Sequence, residues 1–389
     1  MSSKANSRFR TMSAGEDSNV AASESKEPSI WEVLLVLAGM IAVHLILVCR
    51  VSNFWDARTH IFDGEVYLQI AAIIRQGHFS GGEMPQHFWG FPYAIAGVSK
   101  LLAIPGPMAL VLISILGSLA VCILVHRLYG GWVAATFIFI NYLWIQLSVE
   151  GGSEPLFMCL LFASFLAARS DRWNLAGSLA SLSTTVRPVG VFALVGFAVV
   201  LAMRKSYRKL AIITLIGLGI AAIYVIPLMK IFGSPLANFT AYKNNTEGWG
   251  SNGWPLTYPF GALIPGYLSA LHNMRWTSIA LSPIWLVLTM AGVVAMWLPR
   301  NRQGFSAAVL PETLFASIYA LFLFTFNATD YIAWGLSRYV IPVLPMFLFS
   351  LRNWIPHNRR VLWVGALLSA MLASAGIVGF RDVFGFSLP

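Results

Sequence analysis

The stretch IWEVLLVLAGMIAVHLILVCRV, residues 30–51, decides the fold class. It is apolar almost without a break, over a length that matches the roughly 17 to 25 residues with which a helix crosses the hydrocarbon layer of a bilayer. No small-residue cleavage site ends it, and bases are diluted by acids in residues 1–29 before it, so it reads as a retained span and not a secretory signal. Those first 29 residues are rich in Ser and charge and poor in large apolar groups, which predicts a disordered cytoplasmic tail.

Composition extends this reading to the whole chain. Of 389 residues, 57% are hydrophobic and 11% charged, with a mean hydropathy of +0.70, far more apolar surface than one soluble core uses. The expected class is all-α, a polytopic membrane protein. About eleven apolar runs recur, at approximately 30–51, 106–126, 131–148, 154–169, 174–186, 188–203, 209–231, 277–298, 308–327, 339–351 and 360–380. They define a membrane domain over 30–380 and a short tail at 381–389. Cys49, Cys122 and Cys159 lie in or at the ends of these runs and form neither a disulfide framework nor a metal-ligand pattern.

Orientation follows from the bases, because Lys and Arg of short loops stay on the cytoplasmic side. Alternate connections hold Lys4, Arg8 and Arg10; His126 and Arg127; Arg169 and Arg172; Arg204, Lys205, Arg208 and Lys209; Arg300 and Arg302; and Arg352, Arg359 and Arg360. The N-terminus is therefore expected inside. The compact loops read as bacterial, which implies an inner (plasma) membrane. This bias, with anionic headgroups, accounts for the net charge of +10 without nucleic acid as a partner.

Acids fall mainly on the other face. Asp56, Asp63, Glu65 and Glu83 share the first outer segment, 52–105; Glu150 and Glu154 lie in the second, and Glu247, Asp330 and Asp382 beyond, while Glu32, Asp171 and Glu312 map inside. Exclusion from the inner face explains any one outer acid. Four in one loop call for more, since concentrated like charge beside a bilayer gains nothing. Within HIFDGEVYLQIA, residues 60–71, Asp63 precedes Val66, Tyr67, Ile70, Ile73 and Ile74 at helical spacing, which predicts an interfacial amphipathic helix that Gly77 stops. Asp63 stands at the N-cap position, so capping competes with chemistry as its purpose.

With Asp63 and Tyr67 four positions apart, then MPQHFWGFPYAI, then GGSEPLFMCLLFASFLAARSDRWNLAGSLASLSTTVRPVGVFAL at 151–194 and SRYVIPVLPMF from Ser337, the chain resembles the GT-C superfamily of membrane glycosyltransferases over about residues 30–350. That superfamily includes the protein O-mannosyltransferases, the lipid A aminoarabinose transferases and the GPI mannosyltransferases. Two departures stand out: Gly64 separates Asp63 from the next acid, Glu65, and Gly90-Phe91-Pro92 replaces the paired prolines of the first two branches. The resemblance implies a sugar, mannose being the first candidate, carried on a polyprenyl phosphate and passed with inversion to a glycan, lipid or protein acceptor.

Such a transfer needs a carboxylate to take the acceptor's proton, for which Asp63 is the candidate, with Glu65, Asp56 and Glu83 as acidic helpers. It also needs cations at the leaving phosphate, for which Arg187 and Arg338 are the candidates. Pairing with Glu150 or Glu154 is the competing account of Arg187, and interfacial snorkelling that of Arg338. Glu154 either rests on the helix dipole or holds Arg187 or a sugar hydroxyl. Tyr67 and His87 are further candidate substrate contacts. Trp249 and Trp254, in the segment 232–275, either stack on sugar rings or belong to an aromatic belt, the safer reading. His60, His78 and His87 lack metal-ligand spacing, so no metal or cofactor is assigned, and a divalent ion stays open. Asn238, Asn244 and Asn327 open N-x-T sequons. A transporter or flippase, expected to show repeats and mid-span acids, and a glycan ligase or polymerase with a pyrophosphate-linked donor remain the alternatives.

Overall fold

Residues 27–51, 63–77, 87–244, 256–272, 276–298, 310–326, 336–355 and 357–375 are described by the structure, a computed structural model. They are helical almost throughout, and the β structure among them is one isolated antiparallel bridge between Leu256 and Phe326. The helices run α1 Ile30–Val51, α2 Gly64–Gln76, α3 Gly90–Leu102, α4 Gly106–Tyr129, α5 Gly131–Phe139, α6 Tyr142–Glu150, α7 Glu154–Arg169, α8 Trp173–Val186, α9 Val191–Met203 and α10 Tyr207–Phe232. They continue with α11 Ala237–Asn244, α12 Leu263–His272, α13 Trp276–Trp297, α14 Leu310–Thr325, α15 Leu336–Val340, α16 Leu344–Ser350 and α17 Arg359–Ala375.

Helices that are apolar on every side go to the middle. That is the position of α5, α6 and α7, and of much of α4, whose buried faces form one continuous core with α1, α8, α14 and α16. By contrast α10 and α17 present long apolar faces, Leu215, Leu218 and Ile223 on one and Val364, Leu367 and Leu368 on the other. Exposed faces of this kind suit lipid. Among the described residues four helices, over Ile30–Cys49, Gly106–Tyr129, Tyr207–Phe232 and Ile279–Trp297, are long and apolar enough to cross a membrane.

The remaining expected spans are helical but are not each a full crossing. The run 131–148 is two helices, α5 and α6, bent by 74° at Ile140–Asn141, and counts as a fifth span only if the broken pair is taken together. Asn141 causes the break: its side-chain oxygen accepts from the Trp144 amide and starts α6 afresh. The run 339–351 divides into α15 and α16 around Pro342, which disfavours helical geometry in the residue before it. At 16 residues, α7 reaches only about 24 Å, short of a hydrocarbon core.

The ends of the bundle differ chemically. At one, Arg169 at the close of α7 meets Glu312 (2.7 Å) and the Leu128 carbonyl, Lys209 meets Asp171 (2.7 Å), and Arg359 meets Glu32 (3.3 Å). The other end of α7, at Glu154, carries a different cluster.

Candidate active site

Five segments bring charged groups together there. The first is the start of α2. Asp63 is left-handed (φ 66°, ψ 16°), a conformation that costs most residues about 1 kcal/mol and that Asp tolerates best after Gly and Asn. Its carbonyl accepts from the Tyr67 amide and begins the helix, but its side chain makes no capping hydrogen bond. Capping therefore does not account for this carboxylate. Instead Oδ1 lies 3.6 Å from His87 Nε2 and Oδ2 3.6 Å from Arg338 Nη1.

The second segment is the turn between α6 and α7. Gly151 supplies φ 90°, and Ser114 Oγ donates to the Gly152 carbonyl at 3.1 Å. A Cβ on Gly152 would stand 2.7 Å from Glu154 Oε2, so this glycine leaves the carboxylate its room. Glu154 is fully buried, and its Oε1 accepts from both Arg187 Nη1, at the end of α8, and Arg338 Nε, in α15. Oε2 has no hydrogen-bond partner among the described residues. Of the two acids open to Arg187, the structure selects Glu154. Glu150 pairs with the buried His44 of α1 at 2.8 Å. For Arg338, snorkelling gives way to burial between two carboxylates.

Aromatic groups close the cluster. Tyr67 sets its ring edge-on to His87 (5.8 Å) and to Phe91 of α3 (5.2 Å), and its hydroxyl donates to Ser153 Oγ at 3.4 Å. Arg187 lies over the ring of Tyr339, 5.9 Å from its centroid, and the Tyr339 carbonyl accepts from Tyr319 of α14 at 2.7 Å. Ser153 and Tyr339 received no role from sequence, although each adjoins a residue that did.

The sequence matches no protein-family model, and a search of curated proteins gives no match either. The chemistry of the cluster has to be read from its own atoms.

Asp63, Tyr67, His87, Glu154, Arg187 and Arg338, expected from separate parts of the sequence, stand in one cluster. Glu65 points elsewhere: it is exposed and accepts from Gln69 one turn along α2. Asp56, Glu83, Trp249 and Trp254 lie outside the described residues. Of the sequons, Asn238 is buried, its Nδ2 donating to the His87 carbonyl and its Oδ1 accepting from the Tyr224 hydroxyl, a setting with no room for a glycan.

Electrostatics set the state of the ionisable groups. Burial by the surrounding protein would raise the Asp63 carboxyl, but the His87 imidazole beside it and the charges of Arg338 and Arg187 outweigh it and hold it well below the usual carboxylate range. Its side chain nonetheless remains 45% exposed, so the crowded group keeps one open side. Burial, with Asp63 nearby, pushes the Tyr67 hydroxyl up to about 12. The cluster is thus an ionised, accessible carboxylate beside two guanidiniums that a second, inaccessible carboxylate holds together.

Proposed function

We propose that this chain is a membrane glycosyltransferase that moves a sugar, with inversion, from a polyprenyl-phosphate donor to an acceptor hydroxyl. The acceptor's O–H gives its proton to Asp63 while its oxygen bonds to the anomeric carbon. The opposite bond, to phosphate, breaks with its electron pair going to the phosphate oxygen. Arg338 and Arg187 face the charge that develops there. In the resting cluster two acids balance two bases. Protonation of Asp63 removes the carboxylate that attracts Arg338 as the leaving phosphate gains its second charge, so proton transfer and phosphate stabilisation reinforce each other.

One observation carries this reading: Asp63 uses its side chain not as a helix cap but against Arg338, which shares Glu154 with Arg187. The reading includes the finer topology expected from sequence, about eleven crossings in an inner membrane with this cluster at the extracytoplasmic end. The acceptor is a glycan, lipid or protein.

The test uses membranes containing the full chain, supplied with radiolabelled polyprenyl phosphate mannose and other polyprenyl phosphate sugars. Asp63→Asn should lower transfer by about 10²- to 10⁴-fold, the range for loss of a general base, with normal expression. Full activity in that variant would sink the proposal. A second reading, a transporter or flippase, is favoured by the buried His44–Glu150 pair inside the helices, since intramembrane ionisable pairs often mark transport routes. No turnover with any donor, together with movement of a lipid-linked sugar that His44→Leu abolishes, would select it.

A further inference from the structure

His87 reaches Asp63 from a segment, His87–Trp89, that is not itself helical. What holds it comes from elsewhere in the chain. Asn238 of α11 donates its Nδ2 to the His87 carbonyl at 3.0 Å. Two residues on, the Trp89 amide donates to the Tyr224 hydroxyl of α10 at 3.2 Å. That hydroxyl donates in turn to Asn238 Oδ1 at 3.3 Å. Donor and acceptor roles agree around the three bonds, which form a clamp across His87 and Trp89.

The rings repeat the arrangement. Phe88 stacks on Tyr224 (6.1 Å, 12° between planes), and Trp89 packs edge-on against Phe232 (5.9 Å) in a small cluster with Ile70 of α2 and Leu228 of α10. Thus the far end of α10 and the start of α11 grip the segment that carries His87. The imidazole is placed so that Nε2 faces Asp63, while Nδ1 is buried without a hydrogen-bond partner among the described residues. A proton on Nε2 would face the Asp63 carboxylate, 3.6 Å away, whereas one on Nδ1 would be buried without an acceptor among the described residues.

We propose that Asn238 and Tyr224 are positioning residues for sugar transfer: their clamp on His87–Trp89 keeps the His87 imidazole against the Asp63 carboxylate and so fixes the orientation of the base. This rests on the transferase reading above. Asn238→Asp is the sharpest variant, because it keeps the shape but sets a carboxylate oxygen against the His87 carbonyl in place of a donor. Tyr224→Phe removes two of the three bonds with little change in volume.

Two measurements on the full chain in membranes test the proposal. The first is turnover with radiolabelled polyprenyl phosphate mannose. Asn238→Asp and Tyr224→Phe should lower kcat per folded molecule about ten-fold and leave the donor KM within about two-fold. A merely structural role would lower the amount of folded protein and leave kcat alone. The second, in a chain with Cys49, Cys122 and Cys159 replaced, is cross-linking of the paired substitutions Asp63→Cys and His87→Cys by a short bifunctional thiosulfonate, which spans the side-chain length the cysteines lack, needs no turnover and leaves the clamped His87 carbonyl in place. The pair should cross-link in the parent chain and about ten-fold more slowly once Asn238→Asp is added. An absent cross-link in the parent, or an unchanged rate with Asn238→Asp, overturns the clamp. A slowed cross-link with unchanged kcat overturns its part in transfer. If the unsubstituted protein turns over no donor while cross-linking still responds to Asn238→Asp, the transferase reading fails and the positioning role falls with it, with the clamp itself intact.

Discussion

The charge state of Asp63 follows from the groups around it. A carboxyl with a depressed folded-state pKa contributes stability above its unfolded value, 3.8 for Asp, and loses it as pH falls through the lower folded value. At neutrality and in mild acid Asp63 is thus ionised. The pH profile of kcat/KM for the donor should therefore show no acid limb from Asp63 between about pH 5 and pH 7. A limb there that Asp63→Glu shifts would contradict this. The same guanidiniums that depress Asp63 would face a bound phosphate, whose negative charge offsets them and raises the carboxyl towards the basicity a general base needs. Glu154 has a different task. Two guanidiniums drawn to one buried oxygen are tolerable because that carboxylate, with Asp63 beside Arg338, compensates them, and removing one partner of such a cluster leaves buried charge uncompensated.

At the scale of elements, close helix approach sets the distances in the cluster. Gly90 opens α3, and a Cβ there would lie 2.5 Å from the backbone carbonyl of Thr185, two residues before Arg187. A Cβ on Gly117 of α4 would likewise stand 3.0 Å from the Pro155 carbonyl oxygen, beside Glu154. Backbone cannot yield as a side-chain tip does, so Gly90→Ala should push α3 from α8 and destabilise the protein by about 1–3 kcal/mol, the usual cost of overpacking. Thermal unfolding in detergent checks this; an unchanged midpoint would show that the approach is looser than the structure has it. Helix ends were largely legible, since apolar runs, Gly77 after α2 and Pro155 at the start of α7 leave local signals. The breaks at Asn141 and Pro342 leave little trace in the hydropathy, because the residues around them stay apolar.

At the scale of the whole molecule, α7 links two unlike ends, with Glu154 in the candidate site and Arg169 among the bases. If the bundle crosses a membrane as proposed, these ends face opposite compartments. In a chain with Cys49, Cys122 and Cys159 replaced, Gln69→Cys should react with a membrane-impermeant maleimide in intact cells, and Ser170→Cys only after permeabilisation. Both positions are exposed and outside the site. Labelling of both from one side would refute the topology. Sequence by itself determined the all-α, membrane-suited character and most helix positions, because hydropathy, charge and local stop signals act over a few neighbouring residues, while the resemblance to a known superfamily drew attention to Asp63, Arg187 and Arg338. Only tertiary structure decided that Glu154 and not Glu150 pairs with the arginines, that Asp63 does not cap its helix, and that Asn238 holds the His87 segment. Those contacts join residues 33 to 184 positions apart, and their partners are set by which helix faces pack together.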